Sequence, residues 1–266
     1  MKPIIQCDFD GTIVTNNISL LLRERFAHKR WRAIESEYVA GKISVEESNR
    51  RQFRLIRESE EVLGTFARQH AVVRPGFEDF VRYCQSSGAR LVLVSSGLDF
   101  YIESALTSLS LPRIEVLCAR TVFQPDGVLV EYFDPGGAPV RDGFKLRCLK
   151  SLRKQGSPIV YIGDGLSDVE PARNADCVFA TGSLRGLLSA ASIHCYHFSS
   201  FEQITSALAP AITAISASEC YIGSSHIGHE SSCLGERLTR STPAFLGIGP
   251  SRSQSLILGP TKKPEK

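Results

Sequence analysis

Three short apolar runs in this chain each end in a cluster of acidic, hydroxylic and glycine residues, and that repetition constrains the fold more than any other feature. Ile4-Ile5 leads into Asp8-Phe9-Asp10-Gly11-Thr12, Leu91-Val92-Leu93-Val94 into Ser95-Ser96-Gly97, and Ile159-Val160-Tyr161-Ile162 into Gly163-Asp164-Gly165. Runs of this length and purity suit strands buried on both faces, and Val178-Phe179-Ala180 supplies a further one. Between them apolar residues recur at helical spacing, as at Phe77, Phe80, Val81 and Cys84 and at Leu146, Leu149 and Leu152. Strands alternating with helices imply an α/β fold with a parallel sheet covered on both faces. Ligands of open α/β sheets bind beyond the carboxyl ends of the strands, so the three clusters are expected to meet at one site.

The alternation breaks between about Val14 and Val72. No strand-like run occurs there, while helical patterns recur around Leu20-Leu21-Leu22, Trp31 to Val39, Val45 to Ile56 and Val62 to His70. This predicts a helical cap over residues 14–72, inserted into a core of residues 1–13 and 73–210, with Arg74-Pro75-Gly76 as the re-entry because proline turns the preceding residue away from helix. A second insertion, about Phe123 to Gly143, contains Val128-Leu129-Val130 among Gly, Pro and Asp and suits a β-hairpin. Residues 211–266 hold 10 Ser, 6 Gly and 4 Pro, a composition expected to leave this tail disordered.

The balance of 31 basic against 28 acidic residues, net charge +3, offers no general attraction to nucleic acid. No apolar run approaches the roughly 18 residues of a membrane helix. The amino terminus carries too short an apolar stretch for a signal peptide, so a cytoplasmic location is expected. The eight cysteines are scattered with no C-x-x-C pair, which points to packing and not to zinc or redox chemistry. The oligomeric state is not legible.

Asp8 and Asp10 stand two apart at a strand end, where i and i+2 share a side. Their mutual repulsion is relieved by a hard cation such as Mg²⁺. A calcium loop starting at Asp8 fails on spacing, because its sixth and twelfth positions are Ile13 and Ser19. With Asp164 from the third cluster, these acids could hold an octahedral ion with room for water and phosphate oxygen. Asp168 reads either as a first-turn helix acid or as a group orienting metal-bound water. Asp8 can serve as nucleophile and Asp10 as acid and base. Ser95 offers its hydroxyl and neighbouring N–H groups to phosphate. Lys145, opening a helix, is the expected cation; Lys150 lies further along the same helix and reads as solvated. Arg50, Arg51, Arg54 and Arg57 could send one arginine to an anionic substrate, but such a run reads mostly as a solvated face paired with Glu46, Glu47 and Glu58.

In order and spacing, Asp8-Phe9-Asp10-Gly11-Thr12, the Ser95 cluster, Lys145 and Gly163-Asp164-x-x-x-Asp168 resemble the four motifs of haloacid-dehalogenase-type phosphatases. The resemblance spans about residues 3–210. It implies a Rossmann-like core, Mg²⁺ dependence, Asp8 as nucleophile, Asp10 as acid/base, and metal held by Asp8, the Asp10 carbonyl and Asp164. It also implies phosphate binding by Ser95, Ser96, Gly97 and Lys145. A cap after the first motif is similar to the phosphoserine-phosphatase-like branch. Gly41 to Glu47 and Ser95 to Ile102 look closest to the methionine-salvage enol-phosphate phosphatases. Phosphoserine phosphatases carry a cap glutamate where this chain reads Asn16-Asn17-Ile18. The expected function is Mg²⁺-dependent hydrolysis of a small phosphomonoester through an aspartyl phosphate. A phosphoserine phosphatase, a phosphotransferase of the same fold and a non-catalytic binding protein are the alternatives.

Overall fold

The computed structural model describes residues 2–223. Seven strands form one sheet in the order β4-β3-β2-β1-β5-β6-β7. These are β1 (Ile4–Cys7), β2 (Arg90–Leu98), β3 (Glu115–Gln124), β4 (Gly127–Glu131), β5 (Ile159–Gly163), β6 (Cys177–Ala180) and β7 (Tyr196–His197). All neighbours run parallel except β3 and β4. Every residue of β1, β5 and β6 is buried, as expected where helices cover both faces. These helices include α5 (Phe77–Ser87), α6 (Asp99–Leu106) and α7 (Phe144–Arg153). The chain winds from β1 outward through β2 and β3, then returns to place β5 on the other side of β1. That reversal beside β1 is the topological switch point at which open α/β sheets receive ligands.

Four helices intervene between β1 and α5: α1 (Ile18–Phe26), α2 (Trp31–Val39), α3 (Val45–Phe53) and α4 (Glu60–His70). Their starts follow side-chain capping. Asn17, Ser44 and Ser59 accept from the N–H groups of Leu20, Glu47 and Val62 at 2.7, 3.2 and 3.3 Å. Arg74 marks the return of the chain to the sheet. Its guanidinium donates to the carbonyls of Gly11 and Thr12, each at 2.6 Å, and to that of Ser199 at 3.2 Å, tying the loop after β1 to the rest of the molecule.

Two boundaries differ from expectation. The hairpin is made by β3 and β4, so its first strand begins at Glu115, ahead of Phe123, and its turn is at Pro125-Asp126. β3 offers no apolar run like the others because only Ala119 is buried, exposed and half-buried residues alternate after it, and Arg120 stands within the strand. At the other end, the last described helix runs from Phe201 to Gly223, past residue 211, and Ala211 is 3% exposed in the core. Ala211 to Gly223 is rich in Ala and Ile, and the Ser and Gly of the longer window masked that. Residues 224–266 of the expected tail lie outside the described residues.

Candidate active site

The carboxyl ends of β1, β2 and β5 open into a cavity of about 220 Å³. Asp8, Asp10, Ser95, Ser96, Gly97, Lys145 and Asp164 all line it. Asp168 lies behind it, fully buried. The adjacency follows from register: Cys7, the residue before Asp8, pairs with Leu93 on one side and Ile162 on the other.

Lys145, 4% exposed, joins two carboxylates. Its Nζ lies 2.7 Å from Asp8 Oδ1 and 2.6 Å from Asp168 Oδ1. Both acids outweigh burial and hold the ammonium in its charged form. Asp168 also accepts from the Tyr161 hydroxyl at 2.5 Å and from the N–H groups of Asp164 and Gly165 at 3.0 and 2.9 Å. Despite the cost of burial, these donors hold its carboxyl below the ordinary range. Asp168 is thus the first-turn helix acid read from the sequence, accepting from the N–H at the start of its turn, and being buried it also anchors Lys145 and shapes the loop that presents Asp164.

Asp10 is held at both oxygens. Oδ1 accepts from the Ile18 N–H at the start of α1 at 2.7 Å, and Oδ2 from the Tyr101 hydroxyl at 2.5 Å. Burial raises its carboxyl pKa in spite of these donors. Tyr101 comes from α6 and reaches Asp10 past Gly97, where a Cβ would overlap the phenolic oxygen. The β2–β3 register shifts between Val94 and Leu98. Such a break next to a site re-aims backbone and side chains. Within it the Ser95 hydroxyl accepts from the Gly97 N–H at 2.9 Å, and the buried Ser96 hydroxyl has no partner among the described residues.

Asp8, Asp164 and Asp168 offer carboxylate oxygens within 4.8 Å of one another. Asp168 is committed to its donors, which leaves Asp8 and Asp164 facing each other. Burial, then nearby acids, pushes Asp164 up to about 6, and burial raises Asp8 above its usual value. Two crowded, desolvated carboxylates suit a hard cation, and an all-oxygen donor set suits Mg²⁺. The close approach depends on Gly11 at φ +74°, where a Cβ would overlap the Asp164 carboxylate.

The helical segment supplies the facing wall with Asn17, Arg23, Glu35, Tyr38 and Asn49. Asn49 Nδ2 donates to the Ser96 carbonyl at 2.8 Å and to Tyr132 Oη at 2.9 Å, while Tyr132 donates to the same carbonyl at 2.7 Å. The four arginines considered from sequence do not line this cavity. Arg50 donates to the carbonyls of Val140 and Arg141 and lies 3.8 Å from Glu47, Arg51 pairs with Glu37, Arg54 with Asp126, and Arg57 is exposed. Glu46 instead accepts from the Phe144 N–H at 2.9 Å. Arg23 was missed. The available signal was a charged residue on the same helical stripe as Ile18 and Leu22.

Residues 5–173 match the family described as haloacid dehalogenase-like hydrolase. The chain belongs to this family. It is 32% identical over 194 residues to a Lysinibacillus sphaericus protein named 2-hydroxy-3-keto-5-methylthiopentenyl-1-phosphate phosphatase, covering 69% of this chain and 84% of that one. A protein of the same name from Brevibacillus brevis is 29% identical over 188 residues, covering 69% and 84%. Among solved structures, a phospho-aspartyl intermediate analogue of phosphoserine phosphatase matches with a TM-score of 0.58 at 23% identity, covering 76% of this chain and 97% of that chain. That likeness is one of fold, and it agrees with the expected Rossmann-like architecture of the haloacid dehalogenase-like hydrolases. No described helix is long and apolar enough to cross a membrane.

Proposed function

We propose that the protein is a phosphatase hydrolysing a small phosphomonoester metabolite through a phosphorylated Asp8, with residues 14–72 as its cap. The observation that carries this reading is the division of labour between two acids. Burial raises both carboxyls, but Asp8 is salt-bridged to Lys145, whose charge favours its ionised form, while Asp10 is hydrogen-bonded to a tyrosine and a helix N–H. An ionised nucleophile beside a protonatable acid is what cleavage of an alkyl phosphate requires.

The Ser95 and Ser96 hydroxyls and Lys145 would receive the phosphate oxygens. The Asp8 carboxylate attacks phosphorus, the ester P–O bond breaks, and Asp10 gives its proton to the departing alkoxide. Asp10, now ionised, takes a proton from water, whose oxygen attacks phosphorus and releases phosphate and free Asp8. Lys145 offsets negative charge throughout, held in place by Asp168. Mg²⁺ bound by Asp8, Asp164 and the Asp10 carbonyl would supply positive charge beside the phosphate and relieve the repulsion between the two carboxylates.

The relatives' names make 2-hydroxy-3-keto-5-methylthiopentenyl-1-phosphate the first substrate to try, beside phosphoserine and sugar phosphates. The test is phosphate release with Mg²⁺ from this panel and from phenyl phosphate. Wild-type protein is expected to turn over members of it, with Asp8→Asn lowering turnover by at least about 10⁴-fold. Unchanged turnover in Asp8→Asn overturns the mechanism.

A further inference from the structure

The cavity wall opposite the strand ends holds a donor that the phosphoryl-transfer steps do not use. Arg23, 6% exposed, lies on the buried stripe of α1 with Ile18, Ser19 and Leu22, and it lines the cavity. Its Nη1 donates to Gln52 Oε1 and sits 3.4 Å from Glu35 Oε2, which also accepts from Gln52 Nε2 at 2.8 Å. The Trp31 ring covers its Cζ at 5.6 Å. Its Nε is buried with no hydrogen-bond partner among the described residues. Buried donors are almost always satisfied, so one left without a partner on a residue that lines a substrate cavity calls for an acceptor from the substrate. Asp10 is bonded to the Ile18 N–H at the start of the same helix, so Arg23 stands on the element that also holds the acid facing the leaving group.

We propose that Arg23 is a specificity-determining residue whose Nε–H donates to a neutral oxygen, carbonyl or hydroxyl, on the leaving group of the phosphomonoester. This rests on the phosphatase reading above. Neutrality follows from the surroundings. Glu35 already offsets the Arg23 charge, so a substrate carboxylate would meet a like charge in a desolvated cavity. The other groups of this wall, Asn17, Ser19, Tyr38, Ser48 and Asn49, are neutral and polar. A plain alkyl leaving group offers no acceptor and would leave the Nε–H unsatisfied, the situation in which hydrogen-bonding sites discriminate most strongly.

The test uses the full chain with Mg²⁺ and compares kcat/KM for dihydroxyacetone phosphate, n-propyl phosphate and phosphoglycolate. Wild-type protein is expected to prefer dihydroxyacetone phosphate over propyl phosphate by at least about 30-fold, and over the carboxylate-bearing phosphoglycolate. Arg23→Lys keeps the charge but removes the Nε–H. It should bring the first ratio to within about threefold, while the inhibition constant of inorganic phosphate, which reports the strand-end wall, changes by less than about threefold. Equal wild-type values for the first two substrates, phosphoglycolate as the preferred substrate, or an undiminished ratio in Arg23→Lys each overturn the assignment. If that variant fails to fold, the wild-type comparison decides alone. Failure to release phosphate from these compounds, from phenyl phosphate and from the metabolite panel would instead overturn the phosphatase reading. Release from all without discrimination overturns only the role of Arg23.

Discussion

The two walls of the cavity satisfy their polar groups to different degrees. On the strand-end wall, Asp168 takes four donors, Lys145 bridges two acids, and Asp10 is held at both oxygens. On the helical wall, Arg23 keeps a buried Nε–H without a partner among the described residues. Apart from the Ser96 hydroxyl, the first wall is paired before any ligand arrives, which suits groups proposed to act on a phosphate common to all phosphomonoesters. The second is finished only by the molecule it accepts. Chemistry and choice are thus built from different materials: strand termini fixed by the sheet, and helix faces that can vary without disturbing it.

Three substitutions probe that contrast. The largest effect is expected from Asp168→Asn, which keeps the shape but removes the charge that pins Lys145. Turnover should fall about 10- to 100-fold for every substrate alike, measured as kcat across the panel. A loss confined to one substrate would mean that the strand-end wall also selects. Tyr101→Phe should act more gently, removing one donor to Asp10. Its kcat for an alkyl phosphate should drop about tenfold and that for p-nitrophenyl phosphate much less, because nitrophenolate departs without a proton. Equal losses would show that Tyr101 only fills space. The smallest effect belongs to Arg51→Ala, on the outer face of α3. Its exposed ion pair with Glu37 contributes about 0–1 kcal/mol, so kcat/KM should stay within about twofold. A tenfold fall in kcat/KM would extend the selecting wall to the surface of the helical segment.

The strand-end wall was legible in the amino-acid order because its residues sit where buried runs stop. Asp8, Ser95 and Asp164 each follow a stretch that can only be a buried strand, and parallel topology brings such ends together. The helical wall was half legible. The four helices showed in their periodicity, and Asn17, Ser44 and Ser59 cap three of them. Which arginine turns inward depends on how α1, α2 and α3 pack on one another, and local spacing carries no such information. Arg50 to Arg57 drew attention by density, and density reflects solvation; Arg23 is followed by Arg25, Lys29, Arg30 and Arg32, and nothing in that spacing singles it out as the one buried through Gln52 and Glu35. β7 is an edge strand of only two residues, both exposed. Tyr101 could be found only through α6 and Gly97 together.

The central place of β1 carries a consequence for how the molecule comes to be active. Its Ile4 pairs with Arg90 on one side and with Ile159 on the other, so both neighbours arrive late in the chain. Closing two such long loops is slow, because the entropy of each closure is lost before its pairing stabilises anything. On a ribosome, Asp8 emerges first but has no Lys145 beside it until more than half of the chain has followed. Intermediates without β5 in place would carry an unpaired acidic strand end and no hydrolytic centre, so the capacity to react would arise together with the finished sheet.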